Sequence, residues 1–289
     1  MASETDLILR WLYREVFPSG IISFDDLCIE AATRVLGKSS IDAEAYAQNN
    51  IFRHWGSLIQ RLDADKNLGR NPIFSVTDLF LRRLAWYPKN LMIHPNYKDK
   101  RLGFRLSSRP FILRMIDSLS DREYESLACI IIQFAGGSLV KLTPAKKEGG
   151  IDLFAIVSFP AKSHIFGGTS KPLRIIGQVK KYNKSIQINE VKEFITTIEQ
   201  VKNQNPSVEY LVPPWFRTAS GPIVGWLVSH YGVQSGGITQ ARNHGIIISE
   251  SVDLAEVGSL SRHLDENSDP EHRAALLKKK VIDLLGANP

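Results

Sequence analysis

Short apolar segments in the C-terminal half of the chain constrain the fold more than any other feature of the sequence. Strand-like runs occur at 138–142, 151–159, 173–180, 223–229 and 246–249. Only turns or loops separate the first three, whereas an amphipathic stripe at 188–204 separates the third from the fourth. Three consecutive strands, a crossover helix and returning strands predict a mixed α/β sheet flanked by helices.

A helix is predicted immediately before this sheet. Ser120-Asp-Arg-Glu123 has the spacing of a capping box, and the apolar stripe that follows runs from Tyr124 to Phe134 before Gly136-Gly137. The change in pattern near residue 118 divides the chain into residues 1–117 and residues 118–289, the second part including a C-terminal helix.

Residues 1–117 have mainly helical spacing, and Ser75 with Asp78 predicts the start of a helix that runs through Trp86. The segment 81–114 contains nine basic residues and one acidic residue. With an alternating piece at 103–107, this segment could form a winged helix that contacts nucleic acid. The alternative is a solvated face of a helical adaptor, so recognition of DNA or of a partner protein stays open for this half.

The overall composition favours an anionic partner and a reducing compartment. The formal net charge is +6 and the sequence pI is about 9.2. Cys28 and Cys129 are too few for a disulfide framework or a cysteine-rich zinc site. No apolar run approaches the roughly 18 residues of a membrane span. We therefore expect a cytoplasmic protein. His230 and His244 do not have zinc-binding spacing, and we interpret them as surface or loop residues.

Residues with potential catalytic chemistry lie at the ends of two predicted strands. Asp152 begins the second strand after Gly149-Gly150, and Gln178 and Lys180 end the third strand with their side chains on one face. Asp152 and the Gln178 amide offer the oxygen ligands that Mg²⁺ prefers, and Lys180 offers an ammonium for phosphate charge. Because Gln178 is uncharged, a second carboxylate is needed. Glu125 on the preceding helix is the candidate, and Glu123, two residues away, is the alternative that could face the site instead.

These residues occur in a recognisable order. The elements are Tyr124-Glu125, Gly136-Gly137, Thr143, Gly149-Gly150-Ile151-Asp152 and Gln178-Val179-Lys180-Lys181-Tyr182. Over roughly residues 118–260 the sequence resembles the Mrr-like restriction endonucleases of the PD-(D/E)xK nuclease superfamily. The resemblance implies a restriction-endonuclease-like sheet and hydrolysis of DNA with Mg²⁺, for which Mn²⁺ can substitute. It also implies that Asp152, Gln178 and Glu125 hold the metal and that Lys180 is the catalytic lysine.

Three features depart from the family pattern. The family commonly has Asp before the two glycines, where this chain has Glu148. The loop 161–172 is longer than the usual tight hairpin, and residues 209–222 look like an insertion. The charge distribution supports the site, because residues 141–184 contain nine basic and two acidic residues. Five residues there are predicted to contact nucleic acid: Lys146, Lys147, Lys181, Tyr182 and Lys184.

The sequence therefore predicts a Mg²⁺-dependent endodeoxyribonuclease that acts on double-stranded DNA in bacterial restriction and anti-phage defence. A repair nuclease for branched DNA has the same chemistry, and a non-catalytic adaptor that binds nucleic acid is a further alternative. Cutting both strands with one site per chain makes a homodimer the default expectation. An activating partner protein from a defence system is also compatible with the sequence.

Overall fold

The computed structural model describes residues 3–144, 149–158, 171–265 and 268–287. The chain divides into two compact units. One comprises residues 1–114 with 265–274, and the other comprises residues 115–264 with 275–289. No helix within the described ranges is long and apolar enough to cross a membrane.

The first unit combines helices with a small antiparallel sheet. The elements from the N-terminus are α1 (Glu4–Arg14), β1 (Ile21–Ser23), α2 (Phe24–Arg34), α3 (Ser40–Asn67), β2 (Phe74–Asp78), β3 (Arg83–Trp86), α4 (Tyr87–Ile93), α5 (Tyr97–Leu106) and α6 (Arg109–Ser118). The strand order is β1-β3-β2, with both pairs antiparallel. Three helices interleaved with such a sheet, followed by a hairpin, have the order of a winged helix, and this order lies at residues 4–86. The predicted position of a winged helix at 81–114 is therefore wrong, because α4, α5 and α6 occupy most of that segment.

The predicted helix from Ser75 to Trp86 is wrong, because this segment forms the β2–β3 hairpin. Phe74 pairs with Trp86, and both are buried, so packing on the core overrides the helical spacing. Asp78 stabilises the turn instead of a helix, since its carboxylate accepts the Leu81 backbone N–H at 2.8 Å.

The predicted strand-like piece at 103–107 is also wrong, because residues 97–106 form α5. Gly103 lies where α5 packs closely against α4. A Cβ added at Gly103 would come within 2.5 Å of the Pro88 carbonyl oxygen. The glycine is therefore explained by helix packing and not by a strand.

The second unit contains a five-stranded sheet in the order β4-β5-β6-β7-β8. Its elements are α7 (Asp121–Phe134), β4 (Gly137–Leu142), β5 (Leu153–Val157), β6 (Leu173–Lys180), α8 (Ile188–Lys202), α9 (Pro206–Glu209), α10 (Pro214–Thr218), β7 (Ile223–Ser229), α11 (Ser235–Asn243), β8 (Ile247–Glu250) and α12 (Ser251–Leu260), and α13 (Pro270–Ala287) follows. The pairs β4–β5 and β5–β6 are antiparallel, whereas β6–β7 and β7–β8 are parallel. The predicted fold class, a mixed sheet flanked by helices after a mainly helical region, is confirmed.

Residues 209–222, which look like an insertion in the sequence, contribute to the core. Phe216 of α10 is buried, and its ring lies 5.0 Å from that of Phe154 on β5. Leu211 and Val212 belong to the same apolar cluster as Phe194 of α8. The segment therefore packs on the sheet next to the strand that carries the predicted site.

Candidate active site

Asp152 lies where β5 and β6 meet. Its backbone N–H donates to the Gly177 carbonyl at 2.9 Å, which extends the antiparallel pairing by one residue beyond Leu153. Its carboxylate oxygen Oδ2 accepts the backbone N–H of Val179 at 2.6 Å. Both strands therefore fix the orientation of this side chain.

Gln178 lies on β6 beside Asp152, and Lys180 shares its face because alternate residues of a strand point the same way. Gln178 is only 7% exposed, and its Oε1 accepts no hydrogen bond from any residue that the structure describes. Leaving a buried polar atom without a partner costs about 1–3 kcal/mol. An amide oxygen of this kind suits a hard divalent cation.

Gly150 leaves room for this amide. Its φ of +64° lies in the left-handed region that favours glycine. A Cβ added at Gly150 would lie 2.9 Å from Gln178 Nε2. Gly150, two residues before Asp152, thus allows the backbone turn and leaves space for the Gln178 side chain.

Glu125 and Glu123 have different surroundings. The Glu123 carboxylate accepts the Ser120 backbone N–H at 2.6 Å and completes the predicted capping box of α7. Glu125 interacts electrostatically with Asp152 and pairs with Arg122 Nη1 at 2.6 Å. Of the two acids, Glu125 is therefore the one associated with Asp152.

Arg122 is a residue of this region that the sequence reasoning did not single out. Its Nη2 donates to the Thr143 carbonyl at 2.6 Å, and the Thr143 hydroxyl donates to the Ile151 carbonyl at 2.7 Å. Arg122 thus connects Glu125 to the chain that leads into Asp152. The i, i+3 spacing of Arg122 and Glu125 on a helix was the available signal.

The pKa of Asp152 is raised to about 6, first by burial and then by the negative charge of Glu125. The Val179 N–H, Lys180 and Arg122 oppose this increase in the pKa. A carboxylate that is costly to ionise gains most from an added positive charge.

The donor set fits a divalent metal ion. Asp152 and Glu125 supply carboxylates, and Gln178 supplies an unpaired amide oxygen. No cluster of three His, Cys, Asp or Glu residues suited to a metal occurs within the described ranges. The predicted set would not form such a cluster, since its third oxygen belongs to an amide. The roles of these three residues and of Lys180 stay predictions.

The predicted DNA contacts have different environments. Lys146 and Lys147 lie outside the described residues. The Lys181 ammonium donates to the carbonyls of Asp117, at 2.8 Å, and Leu119. Tyr182 packs at the edge of the core cluster, with the Lys180 ammonium 5.7 Å from its ring centroid, and Lys184 is exposed. Contact of these five residues with nucleic acid stays a prediction.

His230 lies in the loop between β7 and α11, as interpreted from the sequence, but it is not a surface residue, because it is only 9% exposed. Its backbone N–H donates to the Lys180 carbonyl at 3.0 Å. Its Nδ1 lies 2.8 Å from the Ser251 hydroxyl, which is itself 2.9 Å from the Tyr124 hydroxyl. These contacts link Tyr124, the residue before Glu125, to Lys180 at the end of β6. No sequence motif predicts them.

Comparison with known proteins bears on the second unit. Residues 116–208 match the Mrr catalytic family, which is described as a restriction endonuclease. The resemblance predicted from the sequence is thereby confirmed for this segment. No curated protein matches.

Two solved structures are similar to this chain. One is the MspJI restriction endonuclease in complex with a 27-mer oligonucleotide, with 13% identity and a TM-score of 0.41 over 68% of this chain and 40% of that chain. The other is the DNA modification-dependent restriction endonuclease AspBHI, with 13% identity and a TM-score of 0.40 over 66% of this chain and 44% of that chain. The chain thus spans less than half the length of either structure.

Proposed function

Residues 116–208 form a domain of the Mrr restriction endonuclease type, and we propose that this protein is a Mg²⁺-dependent endodeoxyribonuclease. Its substrate is double-stranded DNA, and its role is bacterial restriction of foreign DNA, including phage DNA. The observation that carries the proposal is the unpaired, buried Oε1 of Gln178 beside the Asp152 carboxylate. Both groups are costly to bury by themselves and favourable around a cation.

Each residue of the site has its own role in the proposed hydrolysis. When bound, Mg²⁺ or Mn²⁺ supplies Lewis acidity and lowers the pKa of a coordinated water. Asp152, Glu125 and Gln178 hold the metal at the ends of β5 and β6. Lys180, on the face of Gln178, stabilises the negative charge that develops on the scissile phosphate. Arg122 orients Glu125 through its ion pair and its bond to the Thr143 carbonyl.

The proposal includes the wider interactions that the sequence predicts. The DNA backbone is bound by Lys146, Lys147, Lys181, Tyr182 and Lys184. The protein acts in the cytoplasm, where Cys28 and Cys129 stay reduced, and the first unit recognises DNA or a partner protein that activates cleavage. Two chains cooperate to cut both strands.

A cleavage panel tests this function. The purified full chain is incubated with unmethylated plasmid, methylated plasmid and a four-way junction, each with Mg²⁺, Mn²⁺ or EDTA. We expect plasmid cleavage that depends on the metal. Cleavage restricted to the junction would favour the repair nuclease, and binding of every substrate without cleavage would favour the adaptor.

Lys180→Ala tests the site assignment within the same panel. One cation among many contributes little to DNA affinity but acts directly at the reacting phosphate. We therefore expect cleavage to be lost while DNA affinity stays within a few fold. Lys141→Ala, which removes an exposed lysine on β4, is the matched control and should cut normally. Wild-type cleavage by Lys180→Ala would contradict the assignment.

A further inference from the structure

Five of the exposed large apolar side chains of the first unit lie on α3 and in the β2–β3 turn. Ile41 and Phe52 on α3 are 79% and 76% exposed, and Leu79, Phe80 and Leu81 in the β2–β3 turn are 55%, 90% and 59% exposed. We call these five residues the α3–hairpin surface. Soluble monomers rarely expose so much apolar area together, and such patches mark interaction sites.

A specific contact joins Phe52 of α3 to the β2–β3 hairpin. The Arg82 guanidinium lies 5.2 Å from the centroid of the Phe52 ring, which joins the hairpin to α3. The same guanidinium forms two 2.7 Å bonds to the Asp25 carboxylate of α2. Ile41 and Phe52 are eleven residues apart, about three helical turns, and so lie on one face of α3. Ordered contacts reduce the entropy that a partner must overcome on binding.

Charge argues against DNA as the partner of this surface, although α3 and the hairpin are the elements with which a winged helix approaches DNA. Helix α3 and the β2–β3 hairpin together contain five acidic and five basic residues, so this surface lacks the excess of cations that binds phosphates. By contrast, α5 contains four basic residues and one acidic residue. The α3–hairpin surface therefore has the composition of a protein interface.

The exposed area is close to what a homodimer requires. At exposed fractions of 55–90%, two aromatic and three aliphatic side chains together present roughly 600 Å² to solvent. A stable interface buries about 800 Å² on each partner, with a polar rim around an apolar centre. An isologous dimer uses the same surface twice, which needs no further partner.

We propose that the α3–hairpin surface is the interface through which two copies of this chain dimerise. Phe52 and Phe80 of each copy pack at the centre of the interface, where aromatic residues contribute most to binding. The choice of a second copy rests in part on the proposed function, because cutting both strands needs two active sites.

The experiment measures the mass of the full chain by sedimentation across a wide concentration range, with EDTA and without DNA. We expect a dimer for the wild type. Phe80→Asp and Phe80→Ala should raise the dimer dissociation constant, the former by roughly 100-fold or more. Ile93→Asp changes a residue of α4 that is 73% exposed and should leave the dimer intact. Equal far-ultraviolet circular dichroism of the variants shows that the fold is preserved, since thermal unfolding itself depends on dimerisation.

The outcomes are decisive in either direction. A monomeric wild type, or a Phe80→Asp variant that dimerises like the wild type, overturns the proposal. A monomeric wild type whose DNA affinity falls on Phe80→Ala assigns the hairpin to DNA instead. Because the measurement needs neither metal nor cleavage, failure of the nuclease assignment leaves the dimer result unaffected.

Discussion

Neutralising Asp152 is expected to stabilise the metal-free protein. Its pKa is about 6 in the folded chain and 3.8 in the reference state, because burial and Glu125 disfavour the carboxylate. A shift of one pKa unit corresponds to about 1.4 kcal/mol, so ionisation of this group costs up to about 3 kcal/mol of folding free energy. Partial exposure reduces this value. For Asp152→Asn, whose amide oxygen can still accept the Val179 N–H, we expect a gain of about 1–3 kcal/mol.

The pH dependence identifies the cause. A raised folded pKa means that the folded state binds the proton more tightly, so the stability that protonation adds is fully present below about pH 4 and is lost as the pH rises through about 6. Denaturant unfolding in EDTA should therefore show the largest advantage of Asp152→Asn above about pH 6 and none near pH 4. Glu123→Gln is the control, because its effect on the free energy of unfolding should have the opposite sign. The Ser120 N–H lowers the pKa of Glu123, so removing this carboxylate should destabilise the protein. An Asp152→Asn variant no more stable than the wild type at neutral pH would refute the reasoning.

Further changes test the amide ligand, the glycine turn and a buried histidine. Gln178→Glu should lower the Mg²⁺ concentration needed for cleavage and Gln178→Leu should abolish cleavage; identical metal titrations would remove Gln178 from the site. Gly150→Ala should lose about 1 kcal/mol of stability and should need a higher Mg²⁺ concentration for cleavage. Gly245 also has a positive φ, of +65°, but an added Cβ there would have no neighbour within 4 Å, so Gly245→Ala should lose stability alone. Burial lowers the pKa of His54, so its contribution to the free energy of unfolding should fall as pH drops below about 6.5. Unfolding titrations of His54→Gln should lack that loss, and the exposed His244→Gln should retain it.

The central strands β5, β6 and β7 of the second unit were predictable because they are largely buried on both faces. The predicted strands 173–180 and 223–229 match β6 and β7 at both ends. The β2–β3 hairpin was not predictable by the same reasoning. Its strands are short and only partly buried, and the Ser75–Asp78 spacing occurs in caps and in turns alike. Asp78 does accept a backbone N–H, but within a turn.

The sequence indicated which residues of the site are neighbours along the chain or across a pair of strands. It did not indicate the contacts between elements that are distant in the chain. Asp152 opposite Gln178 follows from strand pairing alone. Whether Glu123 or Glu125 faces Asp152 depends on which acid caps α7, and the sequence leaves both open. The contact of His230 with Ser251 joins the end of β7 to the start of α12, a pairing that no local pattern encodes.

The uncharged side chain at position 178 is consistent with two opposing requirements of this site, which are tight metal binding and a stable fold. Burial and Glu125 already raise the pKa of Asp152 to about 6, and a third carboxylate at position 178 would add repulsion in a place where solvent screens it poorly. An amide supplies the oxygen without that charge, at the smaller cost of one unpaired acceptor. The same argument implies that Gln178→Glu binds metal more tightly but unfolds more easily in EDTA. The two effects have one cause, since the negative charge that attracts Mg²⁺ destabilises the folded protein once EDTA removes the metal.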